Sequence, residues 1–397
     1  MRVVYLVSLF PCWSETFIVR EIQALMAQGV EVHIVSLKQA HEAMVQSDAQ
    51  AMLSRVIYPV APARNAWRVL KACAAHPLRE LHDLGSAVVH LWRRPVSLGK
   101  TLVVWWRMLG MLDEVRKLAP QHLHAHWATY PSTAAMWMAR RLGLPFSFTA
   151  HAHDIFLEDQ LIRRKLREAR FGVTISDFNR RFLANERGHA AALQMRVVHC
   201  GVSPQLFAYQ PGGREPRLIM SVGRLDHIKG FEHLVEACAL LRQRGVEFRC
   251  EIIGEGPLRG ALEAQIARHG LQAQVLLVGA RKQEEVRALL YRAAMFVLPS
   301  VVTPTGDRDG IPVALMEAMS AGLPVVSTDV SGIPELAVHG QTGLVAPQRD
   351  AAALSACIER LLAEPALGLA LAERARALVE AQFDIATEAR KLHDAFR

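Results

Sequence analysis

The residues best equipped for chemistry stand in three short stretches in the second half of this 397-residue chain. Residues 307–328 read DRDGIPVALMEAMSAGLPVVST. Pro312 suits the first turn of a helix, where its missing N–H removes no bond. The backbone N–H groups around Gly310, Ile311 and Val313 then lie at a helix N-terminus, with partial positive charge and open donors for a phosphate. Glu317 falls inside that helix among Ala, Leu and Met, where a carboxylate needs a partner; the two hydroxyls of a ribose would serve. Asp309, just before the helix, is placed to reach sugar hydroxyls beside the phosphates. The plain alternative makes Asp309 a solvated loop acid or N-cap and puts Glu317 on an exposed face. In residues 221–237, SVGRLDHIKGFEHLVEA, a strand ends at Gly223, and Arg224 and Lys229 follow in the loop before a helix that begins near Gly230. Two such cations suit a diphosphate, Arg by forked donors and Lys as a point charge, although two surface cations alone are ordinary. Residues 252–263, IIGEGPLRGALE, put Gly254 and Glu255 in another strand–turn–helix, with an incomplete dinucleotide fingerprint.

The first half offers histidines. In LPFSFTAHAHDIF (144–156) a strand runs into His151, His153 and Asp154; hydrogen bonding at a strand end is the simpler account of His153. His124 and His126 alternate on one face of HLHAHW (122–127), and two histidines with no third ligand nearby are more often structural than metal-binding. The loop PCWSETFIVREIQAL (11–25) presents Ser14, Glu15 and Thr16, and Ser14 is also a good N-cap.

Positioning these groups requires short apolar strands alternating with amphipathic helices. The second half shows strands at 217–223, 248–254, 274–279, 295–300, 324–328 and 343–347; the first shows them at 3–9, 31–37, 122–127, 145–151, 171–176 and 196–201. That alternation predicts an α/β chain of two doubly wound, Rossmann-like domains with parallel sheets, ligands binding across a cleft beyond the strands' carboxyl ends. Residues 203–217, rich in Pro, Gly and polar residues, read as the interdomain linker. The expected division is 1–205, with a helical insert at about 64–118, then 206–380, then a C-terminal helix at 381–397 that could cross back to the first domain.

At 51% hydrophobic and 21% charged, the chain is globular rather than disordered. A formal charge of +8 suits an anionic partner. No nucleic-acid motif accompanies it, so no nucleic-acid partner is expected. Six scattered cysteines without a CxxC make a zinc site improbable and a reduced cytosolic chain the simple reading.

Taken in order, GRLDHIKG, GEGP and DGIPVALMEAMSAGLPVV, followed by SGIPELAVHGQTGLVAP (331–347), resemble the GT-B glycosyltransferases of the large retaining family 4. The likeness spans nearly all of 196–363. It implies a UDP- or GDP-linked sugar donor held by the second domain, with Arg224 and Lys229 on the diphosphate and Glu317 on the ribose. Asp309 and the amides of 310–313 would hold the sugar, and His151 would lie near the reacting sugar. Asp309 departs from the usual Glu, which bears on donor identity. The Ser-Glu-Thr loop resembles that of enzymes of exopolysaccharide assembly. The resemblance further implies a front-face transfer in which the leaving phosphate helps deprotonate a saccharide or lipid-linked acceptor. Asp307-Arg308-Asp309 spells the DxD by which a different glycosyltransferase fold binds metal; ahead of an anion-binding helix it reads as coincidence. No metal and no cofactor is expected.

The insert 64–118 holds ten Lys/Arg against four Asp/Glu and four of the seven Trp. Helices lying on an anionic membrane and helices packed in the core fit that composition equally. The expected location is cytoplasmic, either free or peripheral on the inner face of the membrane. Two rivals stay open on sequence: a same-fold sugar-nucleotide epimerase, and a non-catalytic glycan- or membrane-binding subunit.

Overall fold

The computed structural model describes residues 1–12, 15–40, 47–157 and 161–397. The chain divides into two compact units, Met1–Val198 with Ala389–Arg397, and His199–Glu388.

In the first unit the described residues form a parallel sheet of β1 (Arg2–Val7), β2 (Glu31–Ser36), β3 (Val56–Ile57), β4 (His122–His126), β5 (Phe146–Ala150), β6 (Phe171–Thr174) and β7 (Arg196–Val197), in the order β3-β2-β1-β4-β5-β6-β7. Both faces are covered, which is why β1 reads as one apolar run. Its Val4 and Leu6 join Trp137 and Met108 in a core on one face, while Val3, Tyr5 and Val7 join Ile18, Ile22, Leu392 and Phe396 on the other. The last helix, Ile385–Phe396, begins in the second unit and ends in the first.

The insert is three helices, Pro62–Ala75, Pro77–Leu91 and Pro95–Lys117, each opened by a proline. Trp105 is core, and its indole N–H donates to Glu80 at 3.0 Å. Glu80 and Asp83 are buried against Arg141, whose guanidinium donates to both and anchors the insert to helix Tyr130–Leu142. Trp67 and Trp92 point to solvent. Of the four Trp of the insert, Trp105 is therefore core, Trp106 packs partly buried against it, and Trp67 and Trp92 are exposed.

The second unit carries β8 (Leu218–Val222), β9 (Arg249–Ile253), β10 (Val275–Gly279), β11 (Met295–Leu298), β12 (Val325–Thr328) and β13 (Leu344–Ala346), parallel and ordered β10-β9-β8-β11-β12-β13. Residues 203–217, expected to be a linker, belong to this unit. Phe207 is buried in its core, and the Arg214 guanidinium donates to the carbonyls of Gln210, Leu290, Ala293 and Ala321. Pro and Gly there mark a packed irregular segment. The strand expected over 196–201 shrinks to Arg196–Val197.

Strand order reverses between β1 and β4 in one sheet and between β8 and β11 in the other. Crevices at the carboxyl ends of such strands are where open α/β sheets take ligands.

Candidate functional site

In the second unit the predicted residues gather at the β8/β11 reversal. Gly254, at φ +146°, brings its backbone so close to the Gly223 carbonyl that a Cβ would lie 1.9 Å from the oxygen. Gly223 itself donates to the Ile253 carbonyl at 3.0 Å. These contacts fix the loop after β8, and Gly230 (φ +63°) opens helix Phe231–Gln243 against the Pro299 carbonyl. From this loop Arg224 extends with 71% of its side chain exposed, 3.6 Å from Asp226. Lys229 turns inward, and its ammonium donates to Asp309 Oδ1 at 2.7 Å. The Ser300 hydroxyl, just beyond β11, donates to Asp309 Oδ2 at 2.6 Å. Asp309 is thus clamped between a cation and a hydroxyl rather than solvated. Ser300 carries a signal that sequence reading passed over, a polar residue at the carboxyl end of a buried strand.

The helix after Asp309 is Val313–Ser320, with Pro312 as its N-cap in an extended conformation, one position earlier than expected. Gly310 and Ile311 are buried beside it; the Leu315 N–H donates to the Pro312 carbonyl at 3.1 Å, and the N–H groups of Val313 and Ala314 come before the helix's first acceptors. Glu317 is buried in the middle of that helix, which excludes the exposed-face alternative. Glu255 turns away, its carboxylate pairing with Arg259 at 2.7 Å while its backbone carbonyl accepts from Leu225. Any part it plays toward a ligand is through the turn.

In the first unit His151 directly follows β5 and is the N-cap residue of the short helix Ala152–Phe156. Asp154 is buried, and one carboxylate oxygen accepts from the amides of Ala128 (2.6 Å) and His151 (3.0 Å), so it shapes the loop. Burial raises its pKa to about 6. Lys165 behind it donates to the carbonyls of Ala128 and Thr129, and burial lowers its pKa to about 7. His153 is exposed on the helix rather than held at the strand end. Ser14 lies outside the described residues; helix Thr16–Ala27 takes Glu15 as its N-cap.

The three histidines of β4 share one buried face. His122 Nε2 and His124 Nδ1 meet the Ser147 hydroxyl at 2.7 and 2.8 Å, and His124 Nε2 meets Thr149 at 3.0 Å. Burial holds His122 down to about 3 and His124 well below the usual imidazole range. The expectation that no third ligand lies near His124 and His126 is corrected. Glu21 reaches His126 from helix Thr16–Ala27, and ligand atoms of all three lie within 4.8 Å of one another. Every nitrogen of the two rings faces a protein partner.

Comparison with known proteins is consistent along the whole chain. Residues 14–206 match the family described as Glycosyltransferase Family 4, and 207–378 that described as Glycosyl transferases group 1. The chain is 43% identical to the amylovoran biosynthesis glycosyltransferase AmsK of Erwinia amylovora over 195 residues, 49% of this chain and 48% of that protein. It is 31% identical to the "Putative colanic acid biosynthesis glycosyltransferase WcaL" of Escherichia coli (strain K12), over 97% of this chain and 96% of that one. Sucrose-phosphate synthase from Thermosynechococcus elongatus superposes with a TM-score of 0.73 at 20% identity, covering 100% of this chain and 98% of that one. Anabaena Alr3699/HepE, solved with UDP and glucose, gives 0.72 at 16%, covering 99% and 98%. At those identities the likeness establishes the fold, two Rossmann-like halves of the GT-B type. The chain belongs to the family 4, group 1 glycosyltransferases and is a glycosyltransferase enzyme.

Proposed function

We propose that this enzyme moves a sugar, with retention, from a UDP- or GDP-linked donor to a saccharide acceptor carried on lipid, in assembly of a surface polysaccharide. The observation that carries the reading is the Lys229–Asp309–Ser300 cluster, set at the β8/β11 reversal directly before the N-terminus of helix Val313–Ser320, an end suited to an anion. Breaking the anomeric bond leaves negative charge on the departing diphosphate. Lys229, Arg224 and the amides of 310–313 would stabilise it by charge and dipole, with no metal required. Glu317 would hold the ribose, and Asp309 the sugar. In this reading the second unit takes the donor and the first the acceptor. The names of AmsK and WcaL support the polysaccharide setting. A panel of UDP- and GDP-sugars, read by released nucleotide with and without saccharide acceptors, tests this. Donor conversion that leaves the nucleotide attached would favour an epimerase instead.

The lipid-linked acceptor rests on the insert. Trp67, Leu70, Leu78, Leu81, Val89 and Trp92 are all exposed, Leu78 by 82%. Arg93, Arg94 and Lys100 flank them, and the Arg93 guanidinium lies 4.8 Å over the Trp92 ring. Arg107, a further candidate by charge, instead donates to the Leu37 carbonyl. Among the described residues no helix is long and apolar enough to cross a membrane. Exposed apolar side chains with cations nearby in the chain suit attachment to an anionic surface, each cation adding about 1 kcal/mol. Co-sedimentation with anionic vesicles should be strong at low salt, weak at high salt, and reduced when Arg93, Arg94 and Lys100 are neutralised together. Protein that stays in the supernatant at low salt would point to a soluble acceptor.

A further inference from the structure

Four polar side chains form a line at the β1/β4 reversal. The Tyr5 hydroxyl, on β1, donates to Glu21 Oε1 at 2.8 Å. His126 Nε2, at the end of β4, lies 2.9 Å from the same oxygen. His126 Nδ1 lies 3.0 Å from His151 Nε2, at the end of β5. Tyr5, His126 and His151 are buried, and only 12% of the Glu21 side chain is exposed.

The direction of these bonds follows from the last acceptor. A carboxylate only accepts, so in the neutral ring His126 Nε2 carries the proton and Nδ1 the lone pair. His151 Nε2 must then carry the proton that it donates to His126. The remaining nitrogen of His151, Nδ1, is left with the lone pair, as an acceptor. Phe17 and Trp127 hold the His151 ring from the sides, with centroids at 5.0 and 4.7 Å. Burial and the neighbouring His126 keep His151 well below the usual imidazole range, hence neutral, and burial with Glu21 pushes the Tyr5 hydroxyl up, so it stays a donor. The other titratable groups around the line are His124 on β4 and Asp154 on the short helix, with Lys165 behind. Packing alone does not require a line that reaches the sheet edge. His122 and His124 find their partners, Ser147 and Thr149, inside the sheet and stop there.

We infer that Glu21 and His126 are positioning residues for His151, fixing its ring orientation and its tautomer so that the acceptor nitrogen is the one at the sheet edge, available to a sugar hydroxyl. This rests on the reading that His151 lies at the reacting sugar.

The test uses the full chain labelled with 15N-histidine. Long-range proton–nitrogen spectra report each ring tautomer, and His151→Asn identifies the His151 signals. The wild type should show His151 protonated on Nε2 between pH 6 and 8. Glu21→Gln, whose amide can donate as well as accept, should mix the tautomers at His151. It should lower kcat for nucleotide release from a UDP- and GDP-sugar panel about ten-fold or more, with donor KM little changed. Glu21→Asp, which keeps the carboxylate, should restore part of both. Thr149→Val, which removes a His124 partner outside the line, should lower Tm and leave the His151 tautomer and kcat alone. Should Glu21→Gln not fold, Tyr5→Phe removes one donor to Glu21 and should still shift the His126 and His151 nitrogens. An unchanged His151 tautomer in whichever variant folds, with turnover lost in His151→Asn, overturns the inference and keeps the reading of His151. Full turnover in His151→Asn overturns the reading beneath it.

Discussion

At the edge of β8 and β11 the working groups are charges near the surface. Lys229 and Asp309 are joined at 2.7 Å, Arg224 stands in solvent, and glycine turns let backbones touch beneath them. At the edge of β1, β4 and β5 the groups are buried rings and hydroxyls around one carboxylate, Glu21, with each nitrogen of His124 and His126 already matched. An exposed cation can turn to an arriving anion at small cost, because water served it before. A buried ring cannot leave its partner without stranding a polar group. In the proposed reading one edge therefore captures and releases a charged leaving group, and the other holds a fixed shape.

The largest effect should come from breaking the turn beneath the charges. Gly254→Ala puts a Cβ into the Gly223 carbonyl at a φ that side chains avoid, and should destabilise the second unit by about 3 kcal/mol. Gly260→Ala, where a Cβ meets nothing within 4 Å, should be neutral or slightly stabilising. Urea unfolding followed by circular dichroism separates the two; equal effects would remove the close-approach argument.

Next comes pH, which should strike the other edge. His122, His124 and His151 have folded pKa values below the unfolded value of 6.5. The unfolded chain therefore takes up the extra protons. Their stability is intact above about 6.5 and is lost below it, by up to about 1.4 kcal/mol per pH unit for each ring. Asp154, raised to about 6, works the other way as pH falls from there toward 3.8 and offsets about one histidine. All seven Trp lie in the first unit, so Trp fluorescence isolates it. Its urea midpoint should drop between pH 7 and pH 5; a flat midpoint would mean the rings are not held neutral.

The smallest effects divide the donor. Glu317→Gln should weaken free nucleotide and nucleotide sugar alike, by roughly 1.5–3 kcal/mol for a lost charged hydrogen bond. Asp309→Asn frees Lys229 from its ion pair, so it should spare or tighten free UDP or GDP while cutting sugar transfer. Calorimetric titration against both ligands checks this, and equal loss on both by both variants would merge the two roles.

What could be read from sequence follows from how far apart the partners lie along the chain. Arg224, Lys229 and the glycines sit within a few residues of a strand end, so local spacing made them candidates and the family resemblance gave them roles. Tyr5 and Glu21 looked like ordinary strand and helix residues. Their meaning depends on His126 and His151, more than a hundred residues away, and on a strand order no local pattern encodes. Residues 203–217 misled for a related reason: irregular composition does not distinguish a free linker from a segment pinned by one buried Phe207 and one Arg214.

The central claim, that the second unit binds the donor's diphosphate without metal, is tested most directly by titrating UDP and GDP into the wild type and into Arg224→Ala/Lys229→Ala, with chelator present throughout. The account predicts binding of one nucleotide by the wild type, undiminished by the chelator, and a loss of about ten-fold or more in the folded double variant. Unchanged affinity in that variant, or wild-type binding that the chelator abolishes, would contradict it.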